Sequence, residues 1–141
     1  MIGKSRYYNQ FTSEEIQIGH NFMIQELKVL TKVHPIKELF ADAWIDFMLG
    51  RFSYDGATFV KKRNPLTLFE VSAFIHDWRN CKGYVGKEID NEFMCIMIAL
   101  NYKPIIIVQR YNLMRFTFLN VLRYKIKGTY KKELPTNIYK L

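Results

Sequence analysis

His76 and Asp77 stand side by side and Asp90 follows fourteen residues later. Together they supply the groups a hydrolytic site asks for. An imidazole oriented by a carboxylate is the usual layout of a general base, because the acid sets the tautomer and stabilises the imidazolium formed when the ring takes a proton. Asp77, next to His76 on a helix, points elsewhere and suits a hard cation held jointly with backbone oxygens. The same residues also have a purely structural use: a His and an Asp on facing helices satisfy each other inside a small core and tie the helices together.

The elements that must position these groups are helical. Thr12 and Glu15 have capping-box spacing with Phe11 just ahead, and Ile16, Met23, Leu27 and Leu30 recur on one face of the helix they open. Pro35, after His34, starts a second helix. Its apolar stripe is Ile36, Leu39, Phe40, Ala43, Trp44, Phe47 and Met48, with Lys37, Glu38, Asp42 and Asp46 opposite and Gly50 as the stop. Residues 51–64 read as a loop or short extended piece. A third helix is predicted from Pro65 to about Asn80, and a break at Gly83 to Gly86 separates it from a fourth, from about Lys87 to Asn101, with Ile89, Phe93, Ile96, Met97 and Leu100 on one side. The shortness of that break predicts antiparallel neighbours, so that Asp90 can face His76.

Pro104 restarts the chain into a segment from Ile105 to Lys127, with Val108, Tyr111, Met114, Phe118, Val121 and Leu122 near one face. The run Ile105 to Val108 is β-branched and is also compatible with a short strand. After Gly128, residues 129–141 read as an extended arm. The expected architecture is thus mainly α: a single helical domain over residues 1–127, carrying an antiparallel His-Asp helix pair and a short extended loop segment, followed by a basic C-terminal tail over 128–141.

The stretch from Asn64 to Asp77, with Pro65 eleven residues and Glu70 six residues before His76, resembles the His-Asp helix of phospholipase A2 domains of parvovirus capsid type. Ile89-Asp90-Asn91-Glu92-Phe93 matches their next helix, which carries the orienting carboxylate. Asp55-Gly56-Ala57-Thr58, His76-Asp77-Trp78 and Asp90-Asn91-Glu92-Phe93, in that order, are closer to a family of small bacteriophage proteins of unassigned function. That resemblance covers about residues 52–100. It implies that His76 is the base activating water, that Asp90 orients it, and that Asp77 holds calcium with the loop containing Asp55 and Gly56. Both families usually place a Tyr four residues after the His, where this chain has Asn80. It further implies a virion component, such as a neck, ring or tail piece, synthesised in a host cytoplasm and partnered by other virion proteins in an oligomeric assembly. The alternative it implies is a calcium-dependent phospholipid or ester hydrolase.

Composition narrows the other classes. The 141 residues are 49% hydrophobic and 16% aromatic, too apolar for a disordered chain. The formal net charge of +8 is unevenly placed: residues 1–100 hold 12 basic and 12 acidic side chains, and residues 101–141 hold 9 basic ones against Glu133 alone. Arg110, Arg115, Arg123, Lys125, Lys127, Lys131 and Lys132 are therefore candidate contacts for an acidic partner, an anionic lipid surface or nucleic acid. A solvated basic helix face is the plainer reading of the same residues. No zinc-finger spacing, phosphate loop or RNA-recognition signature is present. No apolar run approaches the roughly 20 residues of a spanning helix, and Met1 to Tyr8 lack the apolar core of a signal peptide. Cys81 and Cys95 are expected as reduced thiols, Cys95 in the core. His20 and His34 are expected as surface or cap residues, and Trp44 and Trp78 as core.

Overall fold

Local starting signals produce five α-helices in the computed structural model, which describes residues 5–54 and 69–115. The chain is mainly α. Thr12 accepts from the Glu15 amide at 3.1 Å while the Glu15 carboxylate accepts from the Thr12 amide at 2.9 Å, and this reciprocal cap opens α1 (Ser13–Leu27). His34 Nδ1 accepts from the Ile36 amide at 3.1 Å ahead of Pro35, the first residue of α2 (Pro35–Met48). The helices α3 (Val71–Cys81), α4 (Lys87–Ala99) and α5 (Pro104–Arg115) follow. A short 3-10 turn, Tyr8–Gln10, precedes α1, and Arg6 pairs with Tyr54 in an isolated antiparallel bridge. No described helix is long and apolar enough to cross a membrane.

The core is aromatic. Phe47 on α2 is fully buried and meets Tyr8, Phe11, Trp44, Phe52, Phe69 and Phe74 at ring-centroid distances of 5.3–6.4 Å. Tilted and edge-on contacts of this kind suit the quadrupoles of the rings. A smaller cluster of Phe93, Met97 and Ile107 joins α4 to α5. The 82–86 connection lays α4 against α3, with Gly83 at φ 93° and Gly86 at φ 112°, values open to glycine and rarely to other residues.

Several sequence expectations need correction. The third helix begins at Val71, because Phe69 and Glu70 are not helical. Phe69 is drawn into the core, so close to α1 that a Cβ on Gly19 would lie 2.2 Å from its ring. The fourth helix stops at Ala99, and Asn101 takes a left-handed φ of 62°. Residues 105–108 are helical rather than a strand; Tyr111 and Met114 are partly buried on the expected face, but Ile107 rather than Val108 completes it and Val108 turns outward. On α2, Asp46 is buried and Met48 exposed, because Trp78 supplies Asp46 with a hydrogen bond of 2.7 Å. Cys95 is half-buried instead of core, and His20 is half-buried against Trp44 rather than on the open surface. The Asp55 to Thr58 loop, the start of the third helix at Pro65, residues 116–127 and the 128–141 tail lie outside the described residues.

Candidate functional site

His76 leaves α3 and Asp90 leaves the first turn of α4, and the short connection between these helices brings the two side chains together. His76 Nε2 lies 3.3 Å from Asp90 Oδ1, with both residues buried. On the other side of the ring, the Asn80 side-chain amide donates to His76 Nδ1 at 3.3 Å from one turn further along α3. This assigns the imidazole proton to Nε2, which donates to Asp90. The Phe93 ring covers the imidazole at a centroid distance of 5.1 Å.

The second oxygen of Asp90 accepts from Arg115 Nη1 at 2.7 Å. An arginine from α5 thus holds the carboxylate that the resembled families usually hold with a Tyr, and Asn80, at that Tyr's position, turns to the imidazole instead. Arg110, also on α5, makes a two-pronged pair with Glu70 at 2.7 and 3.3 Å. Among the basic residues marked as partner contacts, Arg110 and Arg115 are therefore engaged inside the domain. Arg123, Lys125, Lys127, Lys131 and Lys132 lie outside the described residues.

Two further networks brace the pair, and the sequence signalled neither. Arg79 and Glu92 form a buried two-pronged ion pair between α3 and α4 at 3.1 and 3.0 Å. Burial pushes the Glu92 carboxyl upward, and the Arg79 guanidinium opposes that shift. At the start of α3, where no local side chain caps the helix, the Val71 amide donates to Glu26 at 2.7 Å and the Glu70 amide to the Tyr54 hydroxyl at 3.2 Å. Glu26 also accepts from the Tyr102 hydroxyl at 2.7 Å. Burial raises the Glu26 carboxyl from its ordinary 4.5 to about 7, against the lowering effect of these two donors. Its contacts are too remote in sequence, 45 and 76 residues away, for local spacing to show.

Asp77 is half-buried, and its charge acts on the Tyr54 hydroxyl. Among the described residues no group of three or more His, Cys, Asp or Glu side chains comes together as a metal site. Asp55 and Gly56, the other proposed ligands, lie outside the described residues. Chemically the arrangement provides an oriented imidazole whose basic nitrogen is occupied by an amide. No protein-family model, no curated protein and no solved structure matches the chain.

Proposed function

We propose that this chain is a structural and interaction protein, of the bacteriophage virion kind that its motifs resemble, in which His76 and Asp90 tie helices together rather than turn over an ester. The observation that carries this reading is the occupancy of the imidazole: Asp90 takes Nε2, Asn80 takes Nδ1, Phe93 covers the ring, and the residue is only 7% exposed. A general base needs its free nitrogen within reach of the proton it removes. The long apolar side chains left exposed on α2 and α5, among them Ile45, Met48, Ile105 and Val108, agree with a chain that meets other proteins.

A second reading keeps one specific support. Donation from Nε2 to Asp90 is the tautomer that leaves Nδ1 basic, so an Asn80 amide that swung away would expose an oriented base. One experiment separates the two. Release of fatty acid from mixed phospholipid vesicles is measured with and without calcium, for the wild type and for His76→Ala, while light scattering gives the mass in solution. An assembly larger than one chain with no His76-dependent release is the expected result. Calcium-dependent release that disappears in His76→Ala, or a solitary monomer at all concentrations, overturns the structural reading.

A further inference from the structure

The groove between α1 and α2 lies away from the His-Asp pair and encloses about 490 Å³. Its walls are Ile24 and Leu27 from α1 and Phe40, Ala41 and Ile45 from α2, with the Trp44 and His20 rings tilted against each other at a centroid distance of 4.4 Å. That volume and lining fall in the range of small-molecule sites, which are mostly apolar with a few placed polar groups.

The polar groups here sit at one end. Lys28 caps the C-terminal end of α1 and Lys37 lies in the first turn of α2, so both stand where the connection between the helices closes the groove. Neither ammonium has a carboxylate partner among the described residues. His20, Trp44 and Ile45 lie about two helical turns away, on the order of 12 Å at 1.5 Å per residue. Burial lowers the proton affinity of His20, which keeps that far end uncharged near neutral pH. The groove is thus cationic at one end and apolar along the rest.

We infer that this groove binds a small amphipathic anion, an apolar body roughly ten carbons long, because an extended zigzag of carbon–carbon bonds of about 1.5 Å advances by less than a bond length per carbon, with a single carboxylate seated between Lys28 and Lys37. The apolar body lies along Ile24, Phe40 and Trp44, and the two lysines set which end of the groove the carboxylate occupies. Isolated lysines on a surface are strongly hydrated and bind little. Two of them at the mouth of an apolar groove reward a ligand that also buries its tail.

The test titrates the full chain with decanoate below its micelle concentration and follows tryptophan fluorescence, with decanol as the uncharged analogue. The expected result is a saturable change for decanoate, at least tenfold weaker binding of decanol, and decanoate reduced to the decanol level in the Lys28→Gln/Lys37→Gln variant. Ala41→Phe, at an exposed helical position that lines the groove, is expected to abolish both signals while the helical circular-dichroism spectrum stays unchanged. No saturation by decanoate, equal binding of decanol, or binding that survives Ala41→Phe overturns the inference. So does a dimer that buries Trp44 and that decanoate cannot dissociate, which would give the groove to a second copy of the chain.

Discussion

Glu26 shows how much one side chain carries when its partners come from elsewhere in the chain. It serves as the distant cap of α3 and as the acceptor for Tyr102, and its carboxyl titrates near 7 rather than near 4.5. The folded chain therefore holds this proton more tightly than the unfolded chain does. Its contribution to stability is full below about pH 4.5 and is lost as the pH rises through about 7. Thermal unfolding followed from pH 4.5 to 8 should show this loss, and Glu26→Gln, which cannot ionise, should flatten it. A profile that is the same in both proteins would remove Glu26 as the cause. Asp46 runs the other way. Burial raises its carboxyl, but hydrogen bonds from Trp78, Arg51 and Lys82 outweigh that and hold it below its ordinary value, so its contribution is present above that value and fades in acid.

Between elements, charged pairs and close approaches do the joining. Arg79 and Glu92 are both nearly inaccessible, at 2% and 1% of their side-chain surface. Removing one partner of such a pair strands a charge, so Arg79→Ala should cost about 3–5 kcal/mol, whereas replacing both with apolar residues of similar volume should cost far less. Urea unfolding of Arg79→Ala and of Arg79→Met/Glu92→Leu measures the difference, and equal losses would show that packing rather than charge dominates. At the α1 contact with Phe69, Gly19→Ala gains roughly 1 kcal/mol of helix propensity but forces a buried ring to move, at about 1–3 kcal/mol. The net expectation is destabilisation, with Phe69→Leu relieving it in the double variant; a stabilised Gly19→Ala would mean that the ring yields freely.

For the whole molecule, the uneven charge acquires an inner and an outer part. Arg110 and Arg115 close onto Glu70 and Asp90 and so belong to the domain that they brace. Any long-range attraction then falls to the basic residues that follow. Replacing Arg123, Lys125, Lys127, Lys131 and Lys132 with Gln should weaken binding to a polyanion such as heparin and reduce its salt dependence. The unfolding midpoint serves as a control for the domain. Arg115→Gln should instead lower the midpoint and leave the salt slope nearly unchanged, and the reverse pattern would place Arg115 among the partner contacts.

The sequence alone determined what depends on neighbours a few residues apart. The Thr12–Glu15 cap, the start at Pro35, the restart at Pro104, the apolar side of α4 and the mainly α class all follow from spacing and local hydrogen bonding. So did the proximity of His76 and Asp90, because a short connection leaves two helices few ways to pack. Tertiary structure decided everything that depends on who stands opposite. It buried Asp46 by supplying Trp78, moved the start of α3 by pulling Phe69 onto Gly19, and turned Ile107 inward and Val108 outward. It also recruited Arg110, Arg115 and Glu26 to partners from 25 to 76 residues away. The physical reason is that a buried polar side chain must be satisfied by whatever the fold brings near, and a one-dimensional pattern does not record that neighbour.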